Sequence, residues 1–343
     1  MALYCEWLRA ALERGRGGLR VEPRWPKGKR YAVVLSHDVD APFTRAPWSF
    51  YGGRFVRNVA QLAPKAAARG VLQTAKVAAL TRARPLLDPS LDPNFCFPKW
   101  AELESSCRAR SCFYVAVTTS GDRTGAAVDV NYDFRHPAIV AALHEAVDRG
   151  CEIGLHASIK AHRIDGRFAE EPALLEGVLD GHRVEGVRHH YWSLDPNSPE
   201  STLELHAKAG LSYDSSLGLS DTPGFRRGMI WPFVPFDRRR SEELPILEVP
   251  PTLMDGAIFY QRVTAEEGRR QIEAHVDAVK AAGGAVVFDW HLEELNPVRL
   301  NGAGPVFAEF LRALADDPDA HWATPVEVAR WWRERRERIA QAA

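Results

Sequence analysis

The chain has 343 residues, of which 45% are hydrophobic and 26% are charged, and its formal net charge is -1. This balance argues against the strongly basic class of nucleic-acid-binding proteins, and the absence of any apolar run of about 18 residues argues against a membrane-spanning helix. Charged residues interrupt the first 18 residues, and the five cysteines form no CxxC pair, so we expect a cytoplasmic protein with reduced thiols.

Apolar runs alternate with helical segments along the chain. We predict strands at 29–36, 111–117, 151–156, 186–191, 244–249 and 285–290. We predict helices at 98–108, 137–149, 168–179, 198–209, 264–282, 305–315 and 325–338. This alternation is typical of a parallel sheet covered by helices, and about six or seven such units predict an α/β fold with a distorted or incomplete (β/α) barrel. We expect a single domain over residues 1–343.

One segment stands out by its charge. Residues 51–84 have a helical composition and carry seven positive charges and no Asp or Glu. The basic residues are Arg54, Arg57, Lys65, Arg69, Lys76, Arg82 and Arg84. We therefore expect a basic helical insertion around 50–95, which forms either a solvated helix face or, through 54–84, a peripheral contact with anionic lipid or with a phosphate-bearing carrier.

The first predicted strand ends in two carboxylates. Side chains alternate along a strand, so Asp38 and Asp40 point to one side and His37 to the other. Two carboxylates this close repel each other, and a divalent cation on one would relieve the repulsion and leave the other as a base. The alternative is a turn or a helix cap that uses the Asp side chains.

Three later strands also end in ionisable residues. His156 follows the apolar run at 151–156, which is a natural position for a metal ligand or a structural histidine. On the strand at 186–191, Arg188 and His190 share a side, where a surface basic patch is the alternative. On the last, Asp289 shares a side with His291 and is expected to orient its ring, unless the two form only a buried polar pair. Because the C-terminal ends of barrel strands meet on one face, we expect these groups to converge.

These segments, in this order, resemble the polysaccharide deacetylase family, also called carbohydrate esterase family four. The matching motifs are Asp38-Val39-Asp40, the run 152–156 (EIGLH), the run 188–191 (RHHY) and His291. The closest resemblance is to a subgroup of surface-polysaccharide deacetylases with an HDVD motif, which also share a stretch like residues 213–218 (YDSSLG). The resemblance covers about residues 30 to 330 and implies the barrel of that family.

The resemblance also implies a metal site and a reaction. The family's second motif usually supplies two histidines four residues apart, but Lys160 occupies the second position here. We therefore expect Asp40, His156 and His190 to hold zinc or a similar divalent ion. His162 is the alternative third ligand, and a site without a tightly held metal is a further possibility.

In the implied mechanism, Asp38 is the base and Arg188 orients it. His291 protonates the leaving amine, and Asp289 tunes that histidine. The implied function is N-deacetylation of an amino sugar, lipid- or nucleotide-linked, in bacterial surface polysaccharide biosynthesis.

Other functions remain open. A metal-free cyclic-amide hydrolase of the same fold, or a non-catalytic carbohydrate-binding relative, would also fit the loss of a histidine at Lys160. A glycosidase would need two flanking carboxylates, for which Asp38 with Asp289 or Glu248 are candidates, but it would leave the histidines unexplained. Three tryptophans next to the motifs are candidates for stacking on a sugar or for filling the core. They are Trp192, Trp231 and Trp290.

Overall fold

The computed structural model describes residues 2–15, 22–44, 92–117, 129–130, 132–260, 263–297 and 299–342. Most of the expected basic insertion around 50–95, including its seven positive charges, lies outside the described residues. Among the described residues, no helix combines the length and the apolar character needed to cross a bilayer.

Eleven strands are present in the described residues. They are β1 (Tyr31–Val39), β2 (Ser111–Val115), β3 (Glu152–Ala157), β4 (Gly186–His189), β5 (Tyr213–Asp214), β6 (Phe236–Asp237), β7 (Glu242–Glu243), β8 (Leu247–Glu248), β9 (Leu253–Met254), β10 (Ala285–Asp289) and β11 (Ala320–Trp322). Nine of them form one sheet in the order β8-β5-β4-β3-β2-β1-β10-β9, with β11 paired to the start of β1. The neighbours in this sheet are parallel, and β6 and β7 form a separate antiparallel hairpin.

Nine α-helices accompany the strands in the described part of the chain. They are α1 (Ala2–Gly15), α2 (Phe97–Cys107), α3 (Pro137–Asp148), α4 (Arg167–Glu176), α5 (Pro199–Lys208), α6 (Asp255–Phe259), α7 (Ala265–Ala282), α8 (Ala303–Ala315) and α9 (Pro325–Ala342). Strands and helices alternate, as βαβ connections in a parallel sheet require. The expected incomplete (β/α) barrel is confirmed, because within the described residues the outer strands β8 and β9 do not pair with each other.

The two faces of β1 show how the barrel is built. All nine residues of this strand are buried, as expected for a parallel strand that is covered on both sides. Ala32 and Val34 belong to the apolar cluster that includes Tyr114 and Tyr213, whereas Val33 and Leu35 pack in the larger cluster with the helices. The same alternation places Asp38 on the side of Val34 and His37 on the opposite side.

His37 is held firmly on the helical side of β1. One ring nitrogen lies 3.1 Å from Oε1 of Glu104, the other lies 2.8 Å from the backbone oxygen of Trp290, and the ring packs 3.9 Å from that of Trp100. This confirms that His37 points away from Asp38 and Asp40.

The local structure differs from expectation in several places, and the short strands β5, β6, β7, β9 and β11 and the helix α6 were not predicted. The strand predicted at 186–191 ends at His189, and a 3-10 turn follows at His190–Trp192. The strand predicted at 244–249 is only two residues long, at Leu247–Glu248. Helix α1 was not predicted, because its apolar face is short and its charges are spread along it.

Candidate metal centre

The predicted site residues converge at the C-terminal ends of four strands. Asp38 lies on β1 and Asp289 on β10, and both carboxylates bind one guanidinium nitrogen of Arg188 from β4. The remaining predicted residues lie at or just after the ends of their strands. The carboxylate of Asp40 is at their centre, and the imidazoles of His156, His190 and His291 surround it. The order β4-β3-β2-β1-β10 in the sheet brings these strand ends to a common edge.

Asp40, His156 and His190 form a compact cluster. One ligand atom from each lies within 4.8 Å of the others. The Nε2 atom of His156 is 3.3 Å from Oδ1 of Asp40, and that of His190 is 3.4 Å from Oδ2. Oδ1 of Asp40 and Nε2 of His156 are buried without a hydrogen-bond partner. Buried polar atoms without partners are costly, and two imidazoles with one carboxylate are a donor set that suits zinc, so the residues fit a divalent ion.

Both imidazoles are oriented by a second contact. Nδ1 of His156 lies 3.1 Å from the backbone oxygen of Arg188, and Nδ1 of His190 lies 3.1 Å from Oδ1 of Asp129. Each Nδ1 is therefore placed to donate outward, and each Nε2 faces the cluster, where it offers a lone pair when the imidazole is neutral, as a bound metal ion would require. Burial would lower the pKa of His190, but Asp129 and Asp40 raise it to about 9. Asp129 was missed from the sequence because it follows no predicted strand.

The alternative ligand His162 lies elsewhere. It belongs to the 3-10 turn Ala161–Arg163, and its ring centroid is 5.9 Å from that of His189. His189 itself faces away from the cluster, with its ring 5.3 Å from that of His206. The structure therefore does not bring His162 to Asp40, whereas His190 reaches it.

Arg188 connects the candidate base to the sheet. Its side chain is fully buried and places Nη1 2.8 Å from Oδ1 of Asp38 and 2.9 Å from Oδ1 of Asp289. Nη2 donates to the hydroxyls of Ser36 at 2.8 Å and Ser215 at 3.0 Å. Nε donates to the backbone oxygen of Ser215 at 3.1 Å, so all five N–H groups of the guanidinium have acceptors, which fixes its position.

The two carboxylates on Arg188 differ in pKa. Burial would raise the pKa of Asp38, but Arg188 and, to a smaller degree, His156 bring it below its ordinary value. Burial raises the pKa of Asp289 to about 7 in spite of Arg188. Asp38 is therefore the carboxylate that keeps its charge, as a general base must.

The expectation that Asp289 orients the ring of His291 is wrong, although Asp289 does help to raise the pKa of that histidine. Asp289 turns to Arg188, and the carboxylate on His291 is Asp255, the first residue of α6, with its two oxygens 3.0 and 3.1 Å from Nδ1. Burial would lower the pKa of His291, but Asp255 raises it well above its ordinary value. Nε2 of His291 faces Oδ2 of Asp40 at 3.6 Å.

The tryptophans next to the motifs follow the second of the two interpretations given for them. Trp192, Trp231 and Trp290 are all buried, so they fill the core instead of facing a sugar. The exposed rings are Tyr191 and Tyr260, at 71% and 61% of their maximal accessible surface.

Several solved structures are similar to this chain over most of their length. A candidate polysaccharide deacetylase from Mycobacterium smegmatis has a TM-score of 0.56 and 18% identity, covering 91% of this chain and 93% of that one. Another, from Pseudomonas aeruginosa PAO1, has a TM-score of 0.56 and 15% identity, covering 93% and 96%. The chain has the polysaccharide deacetylase fold.

The same fold occurs in a further neighbour, the Puue allantoinase, with a TM-score of 0.57 and 14% identity over 93% of this chain and 96% of that one. A scan against family models gave no match, and a search of curated proteins gave none either. At these identities the likeness concerns the fold, so the chemistry of the chain has to be argued from the site itself.

Proposed function

We propose that this chain is a metal-dependent amide hydrolase that removes the N-acetyl group of an amino sugar. The observation that carries the proposal is the arrangement around Asp40, which lies within 3.6 Å of three imidazoles. Two of these imidazoles, His156 and His190, form a set of metal ligands together with Asp40. The third, His291, is hydrogen-bonded to Asp255, which is typical of a histidine that donates a proton. The fold shared with structures named as polysaccharide deacetylases supports the same class of reaction.

Asp40, His156 and His190 would hold the ion, most simply Zn²⁺, through one oxygen and two nitrogens. When bound, such an ion supplies Lewis-acid chemistry, lowering the pKa of a water molecule and polarising an amide carbonyl. Three protein ligands are the number found in catalytic zinc sites, which keep a position open.

Asp38 is the proposed general base. Its Oδ2 atom is 3.7 Å from Nε2 of His156, so it borders the cluster, while Oδ1 is held by Arg188. The free oxygen accepts the proton of the attacking water, and Arg188 keeps the carboxylate charged and correctly oriented.

His291 is the proposed general acid. Its Nδ1 proton is committed to Asp255, so proton transfer occurs through Nε2, the atom that faces Asp40. In its protonated form the imidazole donates to the departing nitrogen, which leaves as an amine. The backbone N–H of Tyr191 is the proposed donor to the developing oxyanion.

A glycosidase mechanism is not favoured by the geometry. Asp289 and Glu248 are both buried, with 1% and 0% of their surface accessible. Glu248 accepts a hydrogen bond from the backbone of Leu217, and Asp289 shares Arg188 with Asp38. Neither carboxylate can flank a glycosidic bond opposite Asp38.

The finer assignments are part of the proposal. Zinc as the ion, surface polysaccharide biosynthesis as the setting, and a lipid- or nucleotide-linked sugar as the substrate rest on the resemblance of the motifs. The subgroup with the HDVD motif, the cytoplasmic location and the membrane contact through 54–84 stay predictions.

Metal analysis combined with an activity assay tests the function. Purified wild type is compared with His156→Ala, His190→Ala and, as the matched control, His162→Ala. We expect about one divalent ion per chain in the wild type and the control, and strong loss in the other two. Acetate release is then measured with N-acetylated amino sugars, and ring opening with a cyclic amide. Opening of the cyclic amide alone would replace the deacetylase assignment, and hydrolysis of neither by the loaded protein would contradict the function.

A further inference from the structure

Two exposed tyrosines lie beside the histidines of the site. We propose that Tyr191 is a stacking platform for a pyranose ring and that Tyr260 forms the opposite wall of the same binding cleft. This inference rests on the proposed function and deepens it, because it assigns the surface that selects a saccharide over a small amide.

The ring of Tyr191 has one covered face and one open face. The covered face stacks on the imidazole of His190, with ring centroids 4.4 Å apart and an angle of 18° between the planes. With 71% of the residue accessible, the second face is open to solvent. A group that stacks on this face therefore lies one ring away from the proposed metal ligand.

The backbone keeps Tyr191 in this exposed position. Tyr191 and Trp192 are consecutive non-glycine residues with positive φ, 54° and 49°, which is an unfavourable conformation for both. Trp192 is buried, and its six-membered ring fills the space above Gly218, where an added Cβ would lie 2.6 Å from Cη2 of Trp192. The slot at Gly218 thus anchors the turn, and the turn directs Tyr191 outward.

Such a turn is hard to explain by stability alone. A strained conformation that presents a large ring to water gains little from burial, so it is expected where the exposed group has a function. The same stretch 213–218 that ends in Gly218 also supplies Ser215 to Arg188, which couples the platform to the candidate base.

Tyr260 occupies the corresponding place near His291. It follows α6, and its ring packs over Gly256, where an added Cβ would lie 2.6 Å from Cε2 of Tyr260. Gly256 is next to Asp255, the carboxylate that holds His291. One exposed ring therefore adjoins the proposed metal ligand His190, and the other packs on Gly256, the neighbour in sequence of the carboxylate that holds the proposed acid.

A pyranose is the ligand that fits this arrangement. One face of the sugar presents C–H groups that pack on an aromatic ring, while its hydroxyl and acetamido groups project from the edge. A sugar stacked on Tyr191 would lie one ring away from His190, so an acetamido group at its edge would be close to the proposed metal site. The phenol hydroxyl of Tyr191 remains available for a polar contact with the sugar.

Calorimetric titration with an N-acetylglucosamine tetramer tests the platform. The metal-loaded Asp38→Asn protein serves as the parent, so that turnover does not consume the saccharide. We expect Tyr191→Ala to raise the dissociation constant about tenfold, the factor for loss of one stacked ring. Tyr191→Phe should stay within about twofold, because it keeps the ring. Phe236→Ala is the matched control, since Phe236 is an exposed aromatic residue, 48% accessible, on the β6–β7 hairpin.

Gly218→Ala tests the anchor of the turn. Its added methyl group meets Trp192, so we expect weaker saccharide binding with unchanged metal content, and near-ultraviolet circular dichroism checks that the fold is kept. Unchanged affinity in Tyr191→Ala, or no tetramer binding by the parent, would overturn the platform. Binding that depends on Tyr191, without acetate release by the wild type, would support the platform and contradict the proposed hydrolysis.

Discussion

Asp255 binds His291 twice, accepting the backbone N–H of that residue at 2.6 Å and its Nδ1 proton at 3.0 Å through the same oxygen. This double contact fixes both the ring and the chain that carries it. Because Asp255 begins α6 and His291 follows β10, the contact also ties a helix start to a strand end. The proton-donating group is thereby positioned from a part of the chain that is distant in sequence.

Asp255→Asn should lower kcat about 10²-fold or more with little change in KM, because the ring of His291 loses its orientation and its charge partner. The pKa of His291, which Asp255 raises, should fall, so the alkaline limb of the pH–rate profile should move to lower pH. The matched control is Asp289→Asn, whose carboxylate binds Arg188 and raises the pKa of His291 less than Asp255 does, so its shift of the alkaline limb should be smaller. An equal loss in both variants, with no shift of the alkaline limb, would contradict the role of Asp255.

Asp38→Asn should reduce acetate release by about 10³-fold or more while leaving metal content unchanged, because the base is lost and the three proposed ligands are kept. Asp289→Asn should cost less than about tenfold, since burial already brings the pKa of Asp289 to about 7 and Asn resembles its protonated form. Steady-state kinetics with metal analysis distinguish the two. Substantial activity in Asp38→Asn would remove this residue from the mechanism.

Asp129→Ala should weaken metal binding about tenfold to 100-fold, because His190 loses the acceptor that orients its ring. Competition with a metal-sensitive chelator measures the affinity. Asp195→Ala is the control, since Asp195 accepts only a local backbone contact from Asn197. If Asp129→Ala and the control bind the ion with the same affinity as wild type, the histidine is positioned by other contacts.

The stability of the fold should depend on pH through Glu152. This buried carboxyl accepts hydrogen bonds from the hydroxyl of Tyr213 and the backbone of Val326, and burial raises its pKa from 4.5 to about 7. The folded chain therefore binds a proton that the unfolded chain has released between pH 4.5 and about 7. The stabilisation is complete below pH 4.5 and is lost as pH rises through 7.

Glu152→Gln removes this dependence. Relative to wild type, the variant should gain on the order of 3 kcal/mol of unfolding free energy between pH 4.5 and pH 8, because Gln carries no charge at either end. Urea unfolding at several pH values measures the difference. Glu309→Gln, with 68% of the side chain accessible, is the control and should show no such trend. A pH-independent difference between Glu152→Gln and wild type would mean that Glu152 stays charged in the fold.

The strand ends could be predicted because a buried strand appears in the sequence as a continuous run of apolar residues. A run of apolar residues that stops at Asp38, His156 or Asp289 marks both the strand and the point where it leaves the core. Parallel pairing then brings those points together, so the convergence of the main site residues followed from the sequence.

Asp129 and Asp255 could not be found in this way. Asp255 follows a strand of two residues, Leu253–Met254, which leaves no apolar run, and Asp129 belongs to no strand. Their roles depend on side-chain contacts across the fold, which periodicity does not encode. The exposed position of Tyr191 was equally hidden, since it depends on a positive φ at a residue that is not glycine.

Because β1 makes polar contacts on both of its faces, it should not tolerate the insertion of a single residue. Inserting one codon within 31–37 would exchange the two faces of the strand. The Asp38 carboxylate would then point toward the helices, beside Trp100, and the His37 imidazole would point into the barrel. Both would lose their partners, Arg188 for one and Glu104 for the other. Libraries that vary segment length should therefore recover active clones with changes in the connections and almost none with changes inside this strand.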